Sequence, residues 1–93
     1  MATYSGQKTV TTAGTEVQLH TGLQIDLPIM VKALTTNTGL IYIGNVSGAV
    51  SSSTGMPLSP GDAVIFTYVG NLNEIWVDSA VNGEGVAWLA LLL

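Results

Sequence analysis

One histidine, six carboxylates and two lysines carry most of the chemical potential of this 93-residue chain, which has no cysteine and no arginine. His20 closes the run Glu16-Val17-Gln18-Leu19-His20, next to Thr21 and Gly22. A working base needs an orienting carboxylate and a nucleophile within reach. Asp26 stands six positions on, across a turn, and no serine sits in the G-x-S-x-G pattern of a nucleophile elbow. His20 therefore reads as a surface residue, and a small hydrolase is the weakest of the functional readings. A second cluster, Asp78, Asn82 and Glu84 in DSAVNGEG, has the flavour of a calcium loop. Its spacing departs from D-x-[DN]-x-[DN]-G with a distal glutamate, and Asn82-Gly83 reads better as a primed hairpin turn between two strands. Gly83-Glu84-Gly85 lacks the helix and lysine of a phosphate cradle. The sequence calls for no catalytic residue, no metal and no cofactor.

Charge points the same way. Charged residues make up 9% of the chain, against roughly 25% in ordinary soluble domains, while hydrophobic residues reach 47%. With a formal net charge of −4 and only Lys8 and Lys32 as cations, the chain cannot neutralise a run of phosphates, which excludes nucleic acid as a partner. Val86 to Leu93, its longest apolar run, is eight residues where a spanning helix needs about twenty, and MATYSGQKTV lacks the basic start and apolar stretch of a signal peptide. The polar remainder is Thr, Ser, Asn and Gly, residues that another chain can cover without desolvating a full charge. A small domain also hides a modest share of its own surface, so burial against partners adds to its stability. Self-association is the expectation.

These properties have to be delivered by strands. Short β-type runs recur every eight to twelve residues with turn residues between them, the pattern of a small antiparallel sandwich or barrel, jelly-roll-like, of about seven or eight strands in a single domain over residues 1–93. The expected strands are Gln7 to Thr11, Thr15 to His20, Ile29 to Thr35, Leu40 to Asn45, a piece near Gly48 to Ser51, Ala63 to Val69, Glu74 to Asp78 and Gly85 to Leu91. Residues 1–6 are left as an N-terminal arm. Turns fall at Ala13-Gly14, Leu27-Pro28, Asn37-Thr38-Gly39, Ser59-Pro60-Gly61-Asp62, Gly70-Asn71 and Asn82-Gly83. In the fourth of these, proline sets a turn φ, glycine takes the conformation other residues resist, and Asp62 caps local N–H groups.

The candidate interface follows from strands with too much apolar surface. Pro28 to Leu34 and Val86 to Leu93 are apolar on both faces, as if covered on both sides by another layer or another subunit. At the C-terminal end, alternation sends Trp88, Ala90 and Leu92 one way and Leu89, Leu91 and Leu93 the other, so one set fills the core and the other packs on a neighbour. Trp88, Leu89, Leu91 and Leu93 are the interface candidates there. Met56 and Pro57 join them from the charge-poor stretch Ser47 to Pro57, which reads equally as a surface loop held by a neighbouring molecule and as an ordinary flexible loop. For Trp76 and Trp88, core or subunit packing competes with a sugar-binding aromatic platform shared with Tyr4, Tyr42, Phe66 and Tyr68.

Taken together, GQKTV near the start, VKALTTNTGLIYIGN, TGMPLSPGDAV and the ending NLNEIWVDSAVNGEGVAWLALLL make the chain resemble a recurrent class of small structural proteins of tailed-phage virions, over about 80 of its 93 positions. The ordered set Asn37-Thr38-Gly39, Tyr42-Ile43-Gly44, Pro57-Leu58-Ser59-Pro60-Gly61 and Val77 through Trp88 carries the resemblance. Proteins of this kind are similar to capsid decoration, or cement, proteins. The resemblance implies an all-β fold, no enzymatic activity, homotrimeric packing, the major capsid protein as partner, and a place on the outer capsid surface. A tail or head-fibre module that binds a host receptor or glycan is the alternative.

Overall fold

The run Ile29-Met30-Val31-Lys32-Ala33 shows how the sequence builds the molecule: its first, third and fifth residues are buried and the two between them exposed. A pleated strand sends successive side chains to opposite faces, so three apolar residues at period two give one dry face. A computed structural model describes residues 2–21, 24–25, 28–45, 50–67 and 70–92. Among them run ten strands: β1 (Ala2–Val10), β2 (Val17–Gln18), β3 (Gln24–Ile25), β4 (Ile29–Ala33), β5 (Ile41–Gly44), β6 (Met56–Leu58), β7 (Ala63–Phe66), β8 (Gly70–Asn71), β9 (Trp76–Ser79) and β10 (Glu84–Leu92), with one 3₁₀ turn at Leu72–Glu74.

The fold is all-β, as the spacing of the strands implied, and of the two architectures expected it is the sandwich. One four-stranded antiparallel sheet, here sheet A, has the order β1-β10-β4-β7, and a second, sheet B, the order β2-β9-β5-β6; β3 and β8 form a small pair. Between the sheets lie Val10, Ile29, Val31, Ala33, Val86, Trp88 and Ala90 from sheet A, and Ile41, Ile43, Leu58 and Val77 from sheet B. Leu19, Leu72 and Ile75 fill the same core from the connecting segments.

Several elements differ from expectation. β1 starts at Ala2, so residues 2–6 belong to a strand paired with β10 from Ala2↔Leu92 to Val10↔Glu84. β2 is two residues where six were expected. β6 occupies part of the supposed loop: Tyr42 of β5 stands opposite Pro57, which an edge strand tolerates because its missing N–H faces outward. The expected strand near Gly48 to Ser51 falls partly on residues outside those described, as do Asp26, Leu27, Tyr68, Val69 and Leu93, and its described residues Val50 and Ser51 are not strand.

The Asn82-Gly83 hairpin is a correction. β9 belongs to sheet B and β10 to sheet A, so the turn between them crosses the sandwich and pairs nothing. Gly83 has φ +81 but Asn82 has no positive φ, which a type I′ turn would require. The crossing is pinned from outside instead, with Ala13 N–H donating to Asn82 Oδ1 at 2.7 Å and Gly83 N–H to the Val10 carbonyl at 2.8 Å. The Ser59–Asp62 turn matches its reading: Asp62 N–H reaches the Ser59 carbonyl at 2.9 Å, Gly61 has φ +86, and Asp62 Oδ2 accepts from Ser59 N–H at 3.0 Å. Pro60 and Gly61 thus occupy the second and third positions of a type II turn.

Candidate interaction surface

Cross-strand register brings three exposed apolar residues into one line. Leu89 of β10 stands opposite Met30 of β4, which on its other side stands opposite Ile65 of β7. All three point away from the core: Leu89 and Met30 are 37% exposed and Ile65 is 65% exposed. Exposed Ser5 of β1 ends the row at the other edge. The next row on the same face is Gln7, Ala87, Lys32 and Ala63, with a single cation and no anion. The face is thus an apolar line flanked by small and neutral side chains, and no described residue lies across it.

The outer face of sheet B is treated differently, because its own chain covers it. Val50 folds onto Gly44, where an added Cβ would sit 2.7 Å from Val50 Cγ2, and Gly55 lies against Tyr42, where an added Cβ would sit 2.6 Å from the Tyr42 Cβ. The segment that brings them there is knotted by its own hydroxyls: Gly55 N–H donates to the Ser51 carbonyl at 2.8 Å, and Ser51 N–H to Thr54 Oγ1 at 3.0 Å. At the other end Asp78 is 3% exposed although it sits on the outer side, since Gly14 N–H bonds its Oδ1 at 2.9 Å and draws residues 12–15 over it.

Each residue of the supposed calcium cluster is committed to such a task. Asp78 Oδ1 also accepts from Ser79 N–H at 2.8 Å, and Asn82 holds Ala13 as described. Glu84 faces the turn Asn37-Thr38-Gly39 instead: Oε2 accepts from Thr38 N–H at 2.6 Å and from Thr38 Oγ1 at 2.8 Å, and Oε1 from Gly39 N–H at 2.9 Å. Partial burial pushes the Glu84 pKa up, but the hydrogen bonds from Gly39 and Thr38 outweigh it and hold the carboxyl below its ordinary value of 4.5. Buried Asn37 completes the seam, with Nδ2–H to the Gly85 carbonyl at 2.8 Å and Oδ1 accepting Gly85 N–H at 3.2 Å. Among the described residues no three His, Asp or Glu groups gather closely enough to hold a metal ion. His20 is half-buried, its ring edge-on to Trp88 at 6.0 Å and 89°. The histidine expected at the surface thus keeps part of its side chain exposed and packs the rest against Trp88.

The interface candidates therefore separate. Trp88 leaves the list: it is 6% exposed, belongs to the chain's own core, and lies under Gly6, where any Cβ would come within 2.8 Å of its Cζ2. An indole in that place has no surface to offer a neighbour. Leu89 lies in the exposed row. Leu91 continues β10 opposite Thr3, without a described side-chain environment, and Leu93 is outside the described residues. Met56, 43% exposed, and exposed Pro57 lie on the β6 edge. Met56 also lines a cleft of about 330 Å³ with Ile43, Phe66, Glu74 and Ile75. The two residues that sequence reasoning missed are Met30 and Ile65. Their signal was present, since both strands were read as rich in apolar residues, but alignment with Leu89 is a property of the sheet order. No protein-family model matches the chain, and no curated protein or solved structure matches it either.

Proposed function

We propose that the chain is a non-catalytic structural protein that coats a protein lattice, acting as a capsid decoration protein on the outside of a phage head and assembling with copies of itself, as a homotrimer in the reading that the sequence resemblance implies. The observation that carries the proposal is the in-register row Leu89, Met30 and Ile65 on a face that the described residues leave uncovered while they cover the opposite one. Contiguous exposed apolar surface of this kind marks interaction sites.

Magnitudes decide how such a row can work. Covering three side chains that are already part-buried recovers about 1 kcal/mol each, or roughly 3 kcal/mol for the row. Association of two bodies costs about 4–15 kcal/mol in lost translational and rotational freedom before any gain appears. A lone copy on a lone target is therefore weakly held. Copies joined to each other and set on a repeating lattice gain by effective concentration, which turns a weak contact into stable coating. Bound in this way to the closed shell and not to its dissociated subunits, the protein stabilises the shell by mass action.

The test is to label purified virions from the source with an antibody to this chain and image them by electron microscopy. Label spread over the head, in a copy number that scales with the capsid lattice, is the expected result. Label confined to tails or fibres, or absent from particles, overturns the proposal.

A further inference from the structure

Sheet A has two free edges among the described residues, β1 on one side and β7 on the other. We infer that these edges are complementary to each other, and that a second copy of this chain docks by antiparallel pairing of its β1 with β7 of the first. The inference deepens the self-association in the proposed function and rests on that part of it alone.

Three features of the edges agree. Strand direction is the first: each neighbour in the order β1-β10-β4-β7 is antiparallel, so a copy placed beyond β7 in the same orientation presents its β1 antiparallel to it. Side-chain parity is the second. Continuing the row Ser5, Leu89, Met30, Ile65 puts Ile65 opposite Ser5 of the second copy, exposed residue against exposed residue. The same register sets half-buried Val64 opposite Gly6, so that residues on the core side of both strands stay on the core side. A slip of one residue would turn every side chain to the wrong face.

Charge is the third, and it selects the partner. β7 itself is neutral, and exposed Asp62 immediately precedes it; β1 carries Lys8, one of the chain's two cations. In the register above, Asp62 stands opposite Lys8 of the second copy. Pairing β7 with β7 would crowd two aspartates near one edge, and pairing β1 with β1 would bring two lysines together, an arrangement that disfavours homotypic pairing. Unlike edges make a head-to-tail contact, which closes into a ring when the rotation permits.

Since the chain has no cysteine, a disulfide can read the register directly. Within one chain Ser5 and Ile65 are three strand spacings apart, about 14 Å, beyond the roughly 7 Å between Cα atoms that a disulfide spans. The variant carrying both Ser5→Cys and Ile65→Cys is expected to form covalent multimers on mild oxidation. Each single variant should stay monomeric on a non-reducing gel, at the level of a Thr12→Cys control. Circular dichroism and thermal melts confirm that the variants fold. Lys8→Glu or Asp62→Lys should each weaken association by roughly two- to fivefold, and the two together should restore it. Cross-linking of the Ile65→Cys variant alone, or a double variant that cross-links no better than the control, overturns the inference. Virions imaged in parallel keep the two ideas apart, because self-pairing can hold where head labelling fails, and the reverse.

Discussion

The outer faces of the two sheets contrast in a way that their inner faces do not. Both inner faces are apolar and dry. Outside, sheet B is roofed by residues 12–15 and 50–55, tied down by Asp78, Ser51 and Thr54, while sheet A shows Leu89, Met30 and Ile65 with no described residue over them. Loops that cover one sheet, with no described residue over the other, concentrate the unmet burial in one place. For a domain of this size that place is where assembly has most to add.

Neighbouring residues of β4 give the hardest blow to this contrast. Val31 is fully buried and Met30, next to it, is exposed. Val31→Asp would leave a carboxylate without a partner in the core, and we expect a loss of several kcal/mol, enough to unfold a domain this small. Met30→Asp should change the unfolding free energy from urea melts by about 0.5 kcal/mol or less, as surface changes do, yet remove attachment to particles. If Met30→Asp unfolds the protein, or keeps full attachment, the outer face of sheet A is not the docking surface.

A smaller effect is expected from the roof of sheet B. Asp78→Ala leaves the N–H groups of Gly14 and Ser79 without their acceptor, at about 1–3 kcal/mol. The loop at residues 11–16 should then be cut by protease at concentrations that spare the wild type, and the variant should bind a hydrophobic dye that the native protein does not. A variant whose loop stays resistant would show that the roof is held by something other than Asp78.

The sequence made the strands legible more readily than their neighbours. The turn at Ser59–Asp62 is local and was readable, whereas Ile29–Ala33 reads as apolar on both faces and shows period-two burial with Met30 and Lys32 exposed. β6 was not readable, because Pro57 inside a three-residue strand looks like loop until Tyr42 is known to lie opposite it. The sequence pattern begins β1 at Gln7 with residues 1–6 as an arm, and the use of Gly6, which admits the Trp88 ring from a strand near the other end of the chain, is a long-range contact that the local sequence does not show. Asn82-Gly83 announced a turn but not which sheet the next strand would join. Leu89 was identified from alternation, whereas Met30 and Ile65 became part of the same surface only when β10, β4 and β7 were set side by side.

Salt offers a gentler test. The docking face carries Lys32 and otherwise neutral side chains, so screening has little to act on. Raising salt from about 0.05 to 0.5 M shortens the Debye length severalfold and should change attachment to particles less than about threefold. Release of the protein over that range would mean that charge, not apolar burial, holds it.

The smallest effect sits at the seam between the two sheets, where Glu84 at the head of β10 holds the turn that leads into β5. Its folded pKa lies below its ordinary 4.5, so the ionised form is favoured by folding. Stability from this group is therefore complete above about pH 4.5 and is lost as pH falls through the folded value. Glu84→Gln keeps an acceptor but no charge, and it should be less stable than wild type at pH 7. On acidification the two urea midpoints should converge below pH 4.5, because the other carboxylates titrate alike in both proteins and cancel in the difference. Association measured by sedimentation should stay equal for the two at neutral pH, since the seam lies away from the row of Leu89, Met30 and Ile65. Parallel curves across the acid range would mean that Thr38 and Gly39 do not discriminate between the charged and neutral carboxyl.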